Sequence, residues 1–351
     1  MEILAGFTPI ARSLIVTAAI AITVLFLQAA ASIIAPILLA AFIAVVATPP
    51  LRWMQQKRVP NWLALLIILY VLLQAGSIFA LVFTGELEGL RDSLLGYQER
   101  LVLLNERLGS WLEQAGLANG RDAVADIFDP AIAIGLVPAI LSNMSGIFAN
   151  GLLVLLAVIF MLLEVSGLKT RLRVAFNITQ ESEERLRRVL GTINRYMVIK
   201  SLASLATALC IWIWLWILGI DFATLWAALA FLLNFIPFVG AMLMAIPAIV
   251  LALIQTDLQT AMLVALCYLM VNTAIGSFLE PRIMGRKLGI STLAVFLSLL
   301  FWGWVLGTVG VFLAAPLTMT LIIALDASPQ TRPFAILLGP DITPQSDSEE
   351  A

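Results

Sequence analysis

Histidine is absent from the 351-residue chain. That absence removes imidazole proton relays, histidine metal sites, and Ser-His or Cys-His nucleophilic catalysis. Charge is scarce as well: Asp, Glu, Lys and Arg make up 12% of the residues, about half the ~25% usual in a water-soluble domain. The only two cysteines, Cys210 and Cys267, each lie in an apolar run. They read as small buried hydrophobes and indicate no disulfide framework. There is no CxxC, no Walker-type loop and no glycine-rich dinucleotide motif. Neither an enzyme, a cofactor nor a metal is expected, and any transport draws on no nucleotide site of this polypeptide. A net charge of −2 offers no basic surface for nucleic acid.

What is present is apolar. Hydrophobic residues are 62% of the chain and mean hydropathy is +1.03, so the side chains need lipid as well as a core. The expected fold class is all-α and polytopic. A span needs about 20 apolar residues, and the segments 12–31, 33–49, 61–83, 145–163, 196–219 and 258–279 supply six firm candidates. The second carries Pro36 and is expected to end at Pro49-Pro50. Residues 13–27 followed by Ala29-Ala30-Ala31 imitate a signal peptide. Arg12 is the only basic residue ahead of them, however, and another apolar segment follows at once, so a retained first span is expected.

Two further apolar stretches are broken by Gly and Pro. One is 222–256, interrupted at Asn234-Phe-Ile-Pro237-Phe-Val-Gly240 and at Pro247; the other is 290–325, interrupted at Gly303, Gly307, Gly310 and Pro316. Lys and Arg set the expected orientation. Arg52, Lys57 and Arg58, the eight basic residues from Lys169 to Lys200, and Arg282, Arg286 and Lys287 mark cytoplasmic segments. The 84–144 segment, with four arginines against nine acidic residues, falls outside, as do Asp221 and Asp257. Both termini are then cytoplasmic, and each broken stretch returns to its starting side, as two full spans or as one inserted hairpin. The total is eight to ten membrane segments. The expected division is 1–83 (three spans), 84–144 (an extracytoplasmic amphipathic segment), 145–195 (a fourth span and a basic segment), 196–326 (a C-terminal membrane region with two broken hairpins) and 327–351 (a disordered tail).

Within 84–144, Leu87, Leu90, Leu94, Tyr97, Leu101, Leu104, Leu108 and Trp111 keep an unbroken a/d heptad. Such a seam is satisfied by self-association into a homo-oligomer, by packing on its own chain, or by lying on the membrane surface. A scaffold acting through that helix is one reading of the chain.

A broken helix survives in lipid only where it is buried in protein or lines an aqueous cavity. Paired breaks therefore point to a solute path, although Gly and Pro also serve close packing and kinks. The candidate lining is Asn234, Pro237, Gly240, Asn272, Glu280, Arg282, Gly303, Gly307, Gly310 and Pro316. Asn234 and Asn272 suit hydrogen bonding to a small polar solute or between two helices. Glu280 suits proton or cation coupling, or a pairing with Arg282 or Arg286 at the interface. Gly303-Trp-Val-Leu-Gly307 has the small-xxx-small spacing of close helix packing.

Asn234-Phe-Ile-Pro-Phe-Val-Gly240 with Ile246-Pro247, Glu280-Pro-Arg-Ile-Met-Gly-Arg-Lys-Leu-Gly-Ile-Ser291, Leu299-Leu-Phe-Trp-Gly-Trp304 and Ala315-Pro-Leu-Thr318 together resemble the autoinducer-2 exporter family of bacterial permeases. The likeness runs with its motifs from about Tyr196 to Asp326, and the order of the earlier segments is similar too. The family often has Pro where this chain has Ala241, and Gly-Pro where it has Gly307-Thr308. The resemblance implies a multi-pass protein of the bacterial cytoplasmic membrane that exports a small signalling molecule in quorum sensing. Some relatives are instead described as sodium/proton antiporters.

Overall fold

The computed structural model describes residues 8–114, 151–175, 180–237, 239–284, 291–326, 328 and 330–339. Among them the order is α1 (Pro9–Ala29), α2 (Ala31–Gln56), α3 (Asn61–Gln114), α4 (Gly151–Ala175), α5 (Gln180–Ile217), α6 (Ala223–Leu233), α7 (Val239–Gln255), α8 (Leu258–Val271), a π-helical segment (Asn272–Leu279), α9 (Glu280–Met284), α10 (Thr292–Asp326) and α11 (Arg332–Leu338). The described fold is all-α, as composition and periodicity anticipate. Among the described residues, five helical runs are long and apolar enough to cross a membrane by length and composition: 31–56, 61–90, 191–217, 258–283 and 293–326, the last divided at Gly307. Shorter apolar helices occupy 14–29, 151–164, 223–233 and 243–255. Large side chains such as Phe26, Trp62 and Phe160 stand exposed along them, which suits lipid contact rather than water.

Several boundaries differ from the sequence expectation. α2 does not stop at Pro49-Pro50 but continues to Gln56. It ends where Arg58 turns left-handed (φ 63°) and Val59 N–H reaches back to Met54 O at 3.2 Å, followed by Pro60, the usual helix-stop pattern. The third span and the outer amphipathic stretch are one 54-residue helix, because the change from apolar to charged surface at Glu86 alters what surrounds the helix without interrupting its backbone. The basic segment and fifth span are likewise continuous in α5. Residues 332–338, expected within a disordered tail, form α11, where Pro333 sits in the first turn and the apolar run Phe334-Ala-Ile-Leu-Leu338 favours the helix.

The chain divides into two compact units. The first comprises 1–45, 164–197 and 287–351. Here α1 and α11 each pack on α10, and Gln28 Nε2 donates to Trp304 O at 3.4 Å. α10 is not straight. At Gly307 the backbone is non-helical (φ 66°, ψ −150°), and the two arms fold together. Trp302 Nε1 donates to Thr318 Oγ1 at 3.0 Å, and a Cβ on Gly303 would lie 2.8 Å from Val311 Cγ2. Ser291 N–H, just ahead of the first arm, donates to Leu338 O at the end of α11 at 3.1 Å. The second broken stretch is therefore a hairpin.

The second unit comprises 46–163 and 198–286. α5 ends at Ile217, two residues before the left-handed Gly219 (φ 67°), with Ile220 N–H bonded to Leu215 O at 3.0 Å. α6 then has 11 residues, about 16 Å of rise against a hydrocarbon core of about 30 Å. It therefore stops short of a full span, turns from Asn234 and returns as α7. The base of this hairpin is held by Gln255, whose Nε2 donates to Gly219 O at 3.0 Å while its Oε1 accepts from Asp221 N–H at 2.9 Å. The first broken stretch is also a hairpin, with both ends meeting at Asp221 and Gln255.

Both tips rely on a glycine. A Cβ on Gly240 would sit 1.9 Å from Leu233 O, and one on Gly310 would sit 1.9 Å from Trp302 O. We expect Gly240→Ala and Gly310→Ala each to cost about 1–3 kcal/mol or more, through forced backbone movement. Gly76→Ala, which meets open space, should be close to neutral. Thermal melting of the three variants in mild detergent checks this, and equal melting temperatures would refute the tip geometry.

Candidate functional site

The second unit buries a series of polar side chains on one face of α5. Lys200, Ser204 and Thr207 are all buried there, followed by the apolar Ile211 and Leu215. Their i, i+4, i+7 spacing places them on one stripe of a helix. Each polar member near the hairpin meets a residue from another element. Ser204 Oγ accepts from Asn234 Nδ2 at 3.0 Å, tying the first hairpin's turn to α5. Lys200 Nζ donates to both oxygens of Glu280 at 3.0 Å. The side chains of that pair are only 8% and 12% exposed.

Glu280 owes its position to the π-helical segment, which inserts an extra residue per turn between α8 and α9. Such segments are rare and often accompany functional sites. At its start, Asn272 is half-buried, and its Oδ1 would lie 3.2 Å from a Cβ on Gly276. Glycine at that position leaves room for the amide.

The opposite end of the unit has a second polar group. Tyr97 on α3 donates its hydroxyl to Asp221 Oδ2 at 2.6 Å, Arg100 Nη1 donates to Gln255 O at 2.7 Å, and Trp226 Nε1 donates to Asp221 O at 3.2 Å. Phe222 is left-handed (φ 59°), and its ring lies so close to Gly89 that a Cβ there would be 3.1 Å away. Leu90 packs with Phe83 and Leu225. The charged extension of α3 is thereby fastened over the base of the first hairpin. Asp257 caps α8 by accepting from Thr260 N–H at 2.7 Å, and that hydrogen bond holds its carboxyl below the usual value.

Of the expected lining, Asn234, Pro237, Gly240, Asn272, Glu280 and Arg282 belong to the second unit, and Gly303, Gly307, Gly310 and Pro316 to the first. Asn234 and Glu280 join one buried stripe through α5. Gly240 and Gly310 serve the hairpin tips, Gly307 the reversal, and Pro316 is buried in the returning arm. Arg282 is exposed. Glu280 pairs with Lys200 and not with Arg282; Arg286 lies outside the described residues. Lys200, Ser204 and Tyr268 are functional candidates that sequence reasoning missed. Lys200 reads there as one more positive charge, and Ser204 as a small residue in a span. Among the heptad residues, Leu90 and Tyr97 are buried within their own unit, whereas the side chains of Leu87, Leu94, Leu101, Leu104 and Leu108 lie outside the described set.

Apolar helices, two Gly-tipped hairpins and a buried polar stripe beside one of them define a polytopic α-helical membrane transport protein. The comparisons give that class a family. The AI-2E family transporter model matches residues 14–330. A "Putative transport protein" of Haemophilus influenzae is 39% identical over 337 residues, 93% of this chain and 96% of the relative. The "AI-2 transport protein TqsA" of Escherichia coli K12 is 38% identical over 309 residues, 88% and 90% respectively. "Putative transport protein YhhT" of the same organism is 35% identical over 314 residues, 90% of each chain. The chain belongs to the AI-2E transporter family.

Two measurements test the site. Lys200→Met leaves a buried carboxylate unpaired and should cost about 3–5 kcal/mol, whereas Lys200→Met combined with Glu280→Leu should recover most of it. A double variant no more stable than the single one would show that the pair is not an isolated unit. Burial, then the hydrogen bond to Asp221, pushes the Tyr97 phenol from 10.0 up to about 12. Its raised value means that the contact stabilises the fold below pH ~10 and is lost as pH climbs through ~12. The alkaline absorbance step missing from Tyr97→Phe should therefore centre near pH 12; a step near 10 would place Tyr97 in open solvent.

Proposed function

We propose that this protein exports a small polar solute, with autoinducer-2 as the leading candidate, through the second unit's polar stripe. The observation that carries the proposal is the joining of the helix break at Asn234 to buried Ser204, with the buried Lys200–Glu280 pair one turn further along α5. Polar groups gathered beside a discontinuous helix are what a solute crossing hydrocarbon requires. The solute is suggested by the name of the E. coli relative, an AI-2 transport protein. In the proposed orientation both termini are cytoplasmic, the first hairpin opens from the outer face and the second from the cytoplasmic face. Homo-oligomer formation through the α3 seam, chiefly the residues beyond Tyr97, is part of the proposal. So is the absence of catalysis.

The test compares external and internal autoinducer-2 in producing cells with and without the inserted protein. Faster external accumulation is expected, and no difference overturns the solute assignment. Sodium/proton antiport is the second reading, favoured by a carboxylate that is largely shielded from solvent, Glu280, whose side chain is 12% exposed. Lys200 already occupies that carboxylate, so a cation would have to displace a tethered ammonium. Glu280→Gln should therefore leave sodium-dependent proton movement in everted vesicles unchanged; its abolition would restore the antiport reading.

A further inference from the structure

Tyr268 presents a cost with no visible return. The residue is 3% exposed, and its hydroxyl is the one buried side-chain polar atom among the described residues that has no hydrogen-bond partner in the protein. Leaving such a group unsatisfied costs about 1–3 kcal/mol. Bulk alone does not explain the choice, because phenylalanine fills the same space without the penalty. Tyr268 belongs to a cluster with Ile211 and Leu215 of α5, Trp226 and Ala230 of α6, and Met244 of α7. It thus lies among the elements that hold the first hairpin.

Its depth supports a functional role. Tyr268 lies about three helical turns beyond the Asp257 cap, or about 16 Å along α8. Asn234 lies at the end of the 11-residue α6, which starts from the same end of the unit, also about 16 Å in. Both positions are near the middle of a hydrocarbon core of about 30 Å, the level at which transporter sites are typically built. Asn272 follows Tyr268 by four residues, so the two side chains share a helix face, and the π-helical segment begins there.

We propose that the Tyr268 hydroxyl faces the solute site of the second unit and hydrogen-bonds an oxygen-bearing group of the transported molecule, a hydroxyl or carbonyl of a small uncharged polar solute. Tyr268 is then a specificity-determining ligand near the membrane centre, and Asn272 is its neighbour in the same site. The inference rests on the transport reading above.

Three measurements on the full chain separate the outcomes. In a background with Cys210→Ala and Cys267→Ala, Tyr268→Cys should react with 2-aminoethyl methanethiosulfonate in membrane vesicles. Val264→Cys, fully buried one turn away, should not. An unreactive cysteine at 268 overturns the proposal without reference to any solute. Tyr268→Phe should keep or raise the melting temperature, since it removes an unpaired hydroxyl; a fall of several degrees would reveal a protein partner and also overturn it. For labelled autoinducer-2, Tyr268→Phe should raise KM about three- to tenfold, as expected for one lost hydrogen bond, with a smaller change in kcat. An unchanged KM in a protein that transports the label refutes the ligand role. If the wild-type protein moves no autoinducer-2, the solute assignment falls, and labelling and melting still decide whether Tyr268 faces a watered site.

Discussion

A peptide group that leaves a helix inside hydrocarbon loses several kcal/mol unless another group takes its hydrogen bonds. The two hairpins are arranged around that constraint. Each reverses direction over very few residues, after Asn234 and around Gly307. Each keeps its arms close enough that a single added carbon, at Gly240 or Gly310, would collide with a carbonyl of the opposing arm. Close approach lets each arm shield the other's exposed backbone. The base of the first is closed by the hydrogen bonds of Gln255, and Ser291 ties the start of the second to α11. Glycine at the tip and a polar clasp at the base are thus consequences of the same solvent.

Within the second unit, the constraint extends from backbone to side chains. Asn234 sits where α6 ends, and its amide would be costly in lipid without Ser204. Lys200 and Glu280 are each affordable only with the other, because an isolated buried charge costs far more than a paired one. Each pairing joins elements distant in sequence, so the polar groups fix the packing of α5 against the first hairpin and the π-helical segment. The extension of α3 does the same at the other end through Tyr97 and Asp221. Polar contacts hold both ends of this unit, and the cluster between them is largely apolar.

How much of this was legible in the sequence depends on how local each cause is. Glycine and proline break a helix where they stand, so both interruptions, and the return of each broken stretch to its starting side, can be read from residue type and the sidedness of charge. The choice of hairpin over two full spans, and the contacts that require Gly240 and Gly310, depend on the facing arm and could not be read so. Membrane class follows from composition. The continuity of α3 could not be read in the same way, since the heptad from Leu87 to Trp111 and the span before it have different surfaces on one unbroken backbone. The extension of α2 past Pro49-Pro50 and the short helix α11 were hidden because surroundings, more than propensity, decide them. Least legible was the pairing of Lys200 with Glu280. Eighty positions separate them, and in a single sequence a lysine beside a basic segment looks like any other topology signal.

The apolar middle of the second unit bears on mechanism. On the path proposed above, a solute moving from the Lys200 end to the Asp221 end would exchange its water for protein groups, and few are present between those ends. Asn234 is already engaged with Ser204, so using it for a solute means breaking that bond and replacing it with one of similar strength. Glu280 and Lys200 are satisfied by each other in the same way. Each step along the stripe is then an exchange of one hydrogen bond for another, and the net cost stays small only if the arriving molecule carries donors and acceptors of its own. An apolar molecule would break the internal pairs without replacing them, and a bare cation would meet a carboxylate already held by an ammonium. Under the transport reading proposed above, the arrangement favours a compact, uncharged, oxygen-rich solute, because of what the paired groups would lose to any other.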